Sequence, residues 1–281
     1  MVAGATLVAS NAGAADVRLY QVKVPLKGNS EADRGAALAE ATSAVAVRVS
    51  GRRDAAANAT VTAADPARYV QRYAAGADRT LTVGFDGAAV ERLLQQAGLT
   101  YWAAERPLTL VDVVTEDRGA ALEAAEWRGL PIAWQSGAVA TGPGQAVLRG
   151  TPNGAQFDWS FSHGGETAQG RGTLADGIHL AADALAARYA PASSRGTSTL
   201  VLRVKGADDL RDYMGMLDYL ESLSLVRRVE VEALEGDVLR LRVTMRGDRD
   251  LLGRIAALEA KLQPVARGTE PSTDADFTFE P

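Results

Sequence analysis

The last third of the chain alternates between two hydrophobic periodicities, and this constrains the fold more than any other feature. Apolar residues recur at every second position in some segments and at every third or fourth position in others, as in strands and helices respectively. The segments are a strand at residues 200–205, a helix at 207–223, strands at 226–234 and 238–246, a helix at 248–261 and a strand at 262–266. This β-α-β-β-α-β order is typical of a ferredoxin-like unit.

Two further units precede it. The first is predicted to contain a strand at residues 18–24, a helix at 30–47, a short helix carrying Tyr69 and Tyr73 after Asp65-Pro66, a strand at 81–85 and a helix after Asp86. The middle unit is predicted to open as βαβ, with a strand at 108–114, a helix at 118–127 and a strand at 130–134. Strands at 146–149, 157–163 and 166–171, separated by glycine-rich turns, then suit an antiparallel meander before a helix at 173–189.

The sequence therefore predicts an α+β protein of three small α/β units, the last ferredoxin-like. The expected boundaries are 16–105 for the first unit, 106–190 for the middle unit, 191–198 for a linker, 199–266 for the ferredoxin-like unit and 267–281 for a tail. In that tail Phe277 and Phe279 alternate with polar residues, which is the spacing of an additional edge strand.

The first 15 residues have the composition of the end of a signal peptide. An apolar run at residues 2–10 is followed by small residues suited to signal peptidase, so we expect cleavage after Ala14 or Ala15 and a mature chain starting near Asp16. This places the protein in the periplasm or outside the cell. A cytosolic N-terminus without a leader is the alternative. No other segment reaches the ~18 apolar residues of a membrane span, so no span is expected.

Composition narrows the classes of function. The chain has no cysteine, which excludes disulfides, thiolate zinc sites and cysteine nucleophiles. Its net charge is −5 at pH 7, without the basic excess typical of nucleic-acid-binding domains. We therefore expect no nucleic-acid partner.

Several motifs, taken in order, resemble those of a family of uncharacterised exported bacterial proteins, domain of unknown function 2066. They are Leu19-Tyr20-Gln21-Val22-Lys23-Val24-Pro25, Val47-Arg48-Val49-Ser50-Gly51, Asp65-Pro66-Ala67-Arg68-Tyr69-Val70, Val83-Gly84-Phe85-Asp86, Val90 to Leu94, Gly98-Leu99, Trp102 and Arg106-Pro107. The resemblance covers most of the chain and is strongest in the first hundred residues. It implies export and this domain order, and it brings no agreed activity.

One face of the third sheet is predicted to be strongly basic. Its cationic residues, which alternate with the apolar set on the first and third strands of this unit, are Arg203, Lys205, Arg240, Arg242 and Arg246. The neighbouring strand places Glu230 and Glu232 on the same face. Pairing among these charges is one interpretation, and a binding surface for an acidic protein partner is the other. RNA recognition is disfavoured because the central strands carry no aromatic residue for base stacking.

The hairpin at residues 226–246 tests the pairing interpretation. A three-residue loop, Glu235-Gly236-Asp237, would set Glu232 opposite Arg240 and Glu230 opposite Arg242, so that acid meets base. A two-residue loop would shift the register by one residue and send one apolar set to the wrong face. The three-residue loop is therefore predicted.

Only two histidines are present, and each has a functional and a structural interpretation. His163 follows Trp159 along one strand face and, with Asp158 or Glu166, is a candidate binding residue; a hydrogen-bonded histidine at the end of a sheet is the alternative. His179 shares a helix face with Asp176 and Asp183, which suggests either metal ligands or a solvated polar face.

Two other features are weaker. Trp134 and Trp159 are candidate lining residues of a ligand cleft in the aromatic-rich middle unit, although aromatic residues at strand spacing usually belong to a core. The segments Gly142-Pro143-Gly144 and Gly170-Arg171-Gly172 match no phosphate-binding fingerprint and are predicted turns.

Two hypotheses about function follow. The first is a non-catalytic envelope protein that acts through interaction with other envelope proteins or through complex assembly. The second is a small-ligand-binding protein or enzyme that uses the middle unit. No catalytic residue, metal ligand or cofactor is assigned, because no acid, base and nucleophile occur together at recognisable spacing.

Overall fold

The computed structural model describes residues 19–135, 144–259, 261–265 and 273–280. The predicted leader at residues 1–15 and the turn residues Gly142 and Pro143 lie outside this part of the chain. The described residues form helices packed on three sheets, which confirms the predicted α+β class. Their buried hydrophobic side chains form one cluster that runs through all three units.

The first unit is an antiparallel sheet with the strand order β1-β3-β2. Its elements are β1 (Gln21–Pro25), α1 (Glu31–Ser50), a 3-10 helix (Arg53–Ala57), α2 (Ala59–Thr62), a 3-10 helix (Pro66–Arg68), β2 (Val70–Ala75), β3 (Thr80–Phe85) and α3 (Gly87–Gln96). Ser30 caps α1 through a capping box with Asp33, and Gly51 ends the helix in the left-handed region. Asp86 caps α3, as predicted.

The predicted helix after Asp65-Pro66 is wrong beyond its first turn. Asp65 accepts a hydrogen bond from the backbone of Ala67, but the turn ends at Arg68 and the chain continues as β2. Tyr73 therefore lies on a strand, exposed to solvent. Backbone pairing with β3 decides the conformation here, and local capping signals do not reveal such pairing.

The middle unit has the sheet order β5-β4-β6-β7-β8. Its elements are β4 (Thr109–Asp112), α4 (Gly119–Arg128), β5 (Ile132–Trp134), β6 (Ala146–Asn153), β7 (Gln156–His163), β8 (Glu166–Gly172) and α5 (Leu174–Tyr189). β4 is parallel to β5 and β6, and β6 to β8 are antiparallel. The predicted βαβ opening and the meander are both confirmed. Helix α5 packs on β7 and β8 and buries Ile178 and Leu185.

The third unit contains the predicted elements in the predicted order, but its sheet differs from a four-stranded ferredoxin-like sheet. The elements are β9 (Thr197–Lys205), α6 (Leu210–Ser222), β10 (Val226–Glu235), β11 (Val238–Arg246), α7 (Arg249–Glu259), β12 (Leu262–Val265) and β13 (Ala275–Phe279). The sheet order is β10-β11-β9-β13-β12, and β13 is parallel to β9. The tail thus forms a strand, as its alternation indicated, but this strand lies inside the sheet and moves β12 to the edge.

The β10–β11 hairpin corrects the predicted loop. Glu235 pairs with Val238, so the turn has two residues, and Gly236 takes a φ of 64°. Arg240 consequently lies opposite Ala233. A β-bulge at Glu232 then restores the predicted pairing of Glu230 with Arg242. The two-residue turn alone would shift the register by one residue and turn the apolar residues of one strand away from the covered face. The extra residue of the bulge shifts the register back.

The predicted linker is ordered. Residues 192–195 form a 3-10 helix (Ala192–Arg195) in which Ser194 is buried. Its hydroxyl accepts a hydrogen bond from the backbone N–H of Tyr101 at 2.9 Å. The segment between the middle and third units is thereby attached to the end of the first unit.

A part-buried arginine joins the first and middle units. The Arg106 guanidinium donates to the carbonyl oxygens of Arg48 at 2.7 Å and of Arg128 and Gly129 at 2.9 Å, which lie at the C-terminal ends of α1 and α4. Its guanidinium carbon also lies 3.9 Å from the centre of the Trp102 ring. Because both helix ends carry partial negative charge, the cation stabilises the two termini together.

A buried carboxylate joins the first and third units. Glu91 of α3 accepts a hydrogen bond from the Tyr20 hydroxyl at 2.8 Å and pairs with Arg246 at 3.1 Å and with Arg227. Arg246 also lies over the Tyr101 ring. We call the contacts of Arg106 and those of Glu91 the two joints of the molecule; they hold the middle and third units against the first.

Candidate binding cleft

A cleft of about 1180 Å3 opens between the middle and third units. One wall is formed by the ends of β6 and β7 and the last turn of α5, and the other by α7, β12 and β13. Arg106 lies in its lining, so the joint between the first and middle units also supports the cleft. The side chains that matter for its chemistry are His163, Arg188, Tyr189, Arg254, Glu105 and Glu259.

His163 and Tyr189 form a hydrogen-bonded pair at one end of the cleft. The imidazole Nε2 and the phenol oxygen are 2.7 Å apart. Burial lowers the pKa of His163 and the neighbouring Arg188 lowers it further, so the imidazole is neutral at pH 7. The predicted hydrogen-bonded histidine at the end of the sheet is present, with Tyr189 of α5 as its partner.

Two arginines lie beside this pair. Arg188 donates to Glu166 at 2.7 Å, and its guanidinium carbon lies 5.9 Å from the centre of the Tyr189 ring. Gly164 lets this guanidinium approach the backbone, because a Cβ there would lie 3.0 Å from Arg188 Nη2. Arg254 projects from α7, and within the described part of the chain it has neither a hydrogen bond nor an ion pair.

The rest of the lining is acidic and apolar. Glu105 accepts hydrogen bonds from the backbone N–H and the hydroxyl of Ser224, both at 2.8 Å, and burial raises the pKa of its carboxyl. Glu259 is exposed at the end of α7. Leu108 and Val265 are both about half-exposed at the rim. The cleft therefore combines a cationic end with acidic and apolar walls.

Of the residues proposed with His163, only Glu166 lies near it. Glu166 faces His163 across the β7–β8 turn and binds Arg188. Asp158 lies on the opposite face of β7, where it accepts a hydrogen bond from Asn153 at 2.6 Å. The alternation of a strand separates Asp158 from the cleft.

The two candidate tryptophans lie elsewhere. Trp159 is buried beneath α5 and its indole N–H donates to the Thr173 carbonyl at 3.0 Å. Trp134 is on β5, where Arg118 lies over its ring at 4.6 Å. Neither is among the residues that line the cleft.

The basic residues of the third sheet occupy two environments. Arg203, Arg240 and Arg242 lie on its open face with acidic neighbours: Arg240 donates to Glu232 at 3.0 Å, Arg242 also pairs with Glu232, and Arg203 lies 3.8 Å from Asp276. Lys205 is exposed at the end of β9. Arg246 is instead buried in the joint with Glu91. Glu232 and Arg240 thus form an ion pair, although the predicted register that set them opposite each other is wrong and Ala233 lies opposite Arg240.

The polar face of α5 has structural partners. Asp176 closes the capping box with Thr173, and Asp183 pairs with Arg128 at 2.7 Å and Arg53 at 2.8 Å. His179 packs edge-on against Trp127. Across residues 19–135, 144–259, 261–265 and 273–280, no three metal-ligating side chains converge.

Part of the chain matches a known family. A family described only as a domain of unknown function (DUF8605) matches residues 14–103. The match supports an uncharacterised domain over the first unit, and it is a different family from the one that the motifs suggested. No curated protein and no solved structure matches the chain. In the described residues, no helix combines the length and the apolar character needed to cross a membrane.

The sequence did not single out Arg188, Tyr189 or Arg254. Tyr189 is the last residue of the predicted helix at 173–189, and it is buried in the structure. The one sequence feature that could have indicated a site here is the position of Tyr189 directly after Arg188 in the last turn of that helix. The pairing of this turn with the β7 end and with α7 depends on tertiary packing, which local periodicity does not specify.

The two histidines predict a pH dependence of stability. Burial, followed by neighbouring arginines, lowers the pKa of both His163 and His179. As the pH falls through the unfolded-state pKa of about 6.5, the unfolded chain takes up protons that the folded chain does not, so the free energy of unfolding should fall. We expect the double variant His163→Gln, His179→Gln to lose less stability than the wild type between about pH 7.5 and about pH 5.5. Urea midpoints at the two pH values measure this, and equal losses in both proteins would contradict it.

Proposed function

We propose that this protein is a non-catalytic, exported envelope protein that binds other proteins, and that the cleft between its middle and third units receives a segment of the partner. The supporting observation is the cleft itself. Its volume exceeds the ~300–1,000 Å3 of small-molecule pockets, and half-exposed Leu108 and Val265 stand at its rim. An open cleft of this size with apolar edges suits an extended polypeptide.

The second candidate, a ligand-binding protein or enzyme that uses the aromatic residues of the middle unit, has less support. Trp159 is buried under α5, and His163 is paired with Tyr189 instead of a serine or threonine hydroxyl. A general base requires its nucleophile within hydrogen-bond reach. The observation that favours this second candidate is the His163–Tyr189 pair, because both residues line the cleft.

Two finer assignments belong to the proposal. The first is that the third unit is a ferredoxin-like unit to which β13 has been added between β9 and β12; the order β9-α6-β10-β11-α7-β12 supports it. The second is export, together with the resemblance to domain of unknown function 2066. Export is proposed from the apolar run at residues 2–10 and the small residues that follow it.

Export predicts a shortened N-terminus. Expression of the full gene in a bacterium with a periplasm should yield a protein that starts at Ala15 or Asp16, because small residues precede that bond. N-terminal sequencing of periplasmic and cytosolic fractions checks this. A chain that keeps Met1 and stays in the cytosol would exclude export by this leader.

Binding at the cleft predicts site-specific cross-linking in the cell. A photo-activated amino acid in place of Leu108, which is 52% exposed at the rim, should give a discrete adduct with one envelope protein. The same substitution at Leu234, 59% exposed on the edge strand β10 and outside the cleft, is the matched control and should give no such adduct. Mass spectrometry identifies the adduct. Equal cross-linking at both positions, or none at position 108, would overturn the proposed binding surface.

A further inference from the structure

We infer that the part of the cleft lined by Arg188, Tyr189 and Arg254 binds the C-terminal carboxylate of an extended polypeptide. This inference rests on the proposed function, since it specifies the chemistry of the segment that the cleft receives.

The first argument is the set of donors. Arg254 has no hydrogen bond or ion pair in the described part of the chain, and a guanidinium offers two parallel N–H groups that match a carboxylate. Arg188 does have a partner, Glu166, but 68% of that side chain is exposed. A pair with so exposed a carboxylate contributes little, so a ligand carboxylate can replace Glu166.

The phenol of Tyr189 supplies a third donor. Burial raises the pKa of Tyr189, so its hydroxyl is protonated at pH 7. The neutral His163 imidazole holds the phenol oxygen at 2.7 Å. When the Nε2–H tautomer donates to that oxygen, the phenol proton is free to donate into the cleft. His163 thus acts as a positioning residue for Tyr189.

The remaining walls determine which anion fits. Glu105, Asp250 and Glu259 line the same cleft, and their charges disfavour a phosphate dianion or a polyanion. A single carboxylate at the end of an otherwise uncharged chain carries one negative charge and therefore experiences less of that repulsion. Leu108 and Val265 at the rim then contact apolar side chains that precede the carboxylate. Charge and apolar area together favour a polypeptide C-terminus over a small inorganic anion.

The experiment compares matched peptides on the whole protein. An N-terminally labelled pentapeptide of leucine and alanine is prepared with a free C-terminal carboxylate, with a C-terminal amide, and as an amide with one internal glutamate. Fluorescence anisotropy measures the three dissociation constants. We expect the free acid to bind about tenfold more tightly than either amide, as for loss of one charge-assisted hydrogen-bonded pair.

Variants assign the effect to the site. Arg254→Gln should weaken binding of the free acid about tenfold and leave the amide unchanged, and Tyr189→Phe should weaken the acid by a smaller factor. Arg92→Gln, which removes an exposed arginine of α3 away from the cleft, should change neither peptide. Unchanged thermal unfolding of Arg254→Gln shows that the fold is intact.

Several results would overturn the inference. They are equal binding of acid and amide, no binding of either, tight binding of the amide with internal glutamate, and competition by inorganic phosphate at the concentration of the peptide. Each of these leaves the cross-linking result at Leu108 unaffected. Loss of cross-linking at Leu108 would instead remove the proposed function.

Discussion

Replacing Arg106 with alanine is expected to lower the free energy of unfolding by at least about 3 kcal/mol, since each buried carbonyl left without its donor costs about 1–3 kcal/mol. Three carbonyls at the ends of α1 and α4, those of Arg48, Arg128 and Gly129, depend on this guanidinium. The contact with the Trp102 ring is lost as well. Urea unfolding followed by tryptophan fluorescence measures the change.

Two further variants separate charge from geometry. Arg106→Lys keeps the cation but not the planar fork that reaches both helix ends, so its loss of stability should be intermediate. Arg92→Ala removes an exposed arginine and should change the free energy of unfolding by no more than about 0.5 kcal/mol. If Arg106→Ala matched Arg92→Ala, the guanidinium would have no role in joining the units.

Gly129 belongs to the same joint. It ends α4 with a φ of 61°, and a Cβ at this position would lie 2.6 Å from Arg106 Nη1 and 2.8 Å from Arg48 Cγ. Glycine is therefore required both by the left-handed backbone and by the close approach of two arginines. The sequence patterns did not identify this residue, which lies between the predicted helix at 118–127 and the predicted strand at 130–134.

Local patterns predicted most elements of the fold. Asp86 caps α3 as predicted, and the helices predicted to begin at residues 30 and 173 have Ser30 and Thr173 as their caps, because capping depends on residues a few positions apart. Periodicity also gave the βαβ opening and the meander of the middle unit. These signals are contained within single helices and strands.

Pairing between distant segments could not be predicted in the same way. The tail strand β13 is five residues long, and its alternation did not indicate that it would insert beside β9. The hairpin shows the opposite case, in which the register was right at Glu230 and Arg242 although the loop length was wrong. A bulge compensates for a shorter turn, and residue types alone do not show where that extra residue lies.

The candidate cleft illustrates the same limit. His163 was considered because the chain has only two histidines. Arg188 and Arg254 have no distinctive sequence context, and they lie 66 residues apart in the sequence. Their convergence depends on the packing of α5 against α7. Glu91 was missed for a related reason: it lies three positions before the buried Leu94, which places it on the inner face of α3, but its partners are far away in the sequence.

Glu91→Ala is expected to lower the free energy of unfolding by about 3–5 kcal/mol, because it leaves a buried arginine without its counter-charge. Glu91 is 7% exposed and Arg246 is 8% exposed, so water cannot readily replace the lost carboxylate. Arg227 is partly exposed and can turn to solvent. The exposed Glu40→Ala on α1 is the matched control, with an expected change within about 0.5 kcal/mol.

The double variant Glu91→Leu, Arg246→Met distinguishes this cause from a loss of packing alone. Replacing both charged partners with apolar residues removes the unpaired cation, and such replacements of buried ion pairs are often neutral or stabilising. We therefore expect the double variant to be more stable than Glu91→Ala, although it carries one more substitution. Urea unfolding of the three proteins at neutral pH gives the comparison. If the double variant were less stable than the single one, an unpaired Arg246 would not account for the loss of stability in Glu91→Ala.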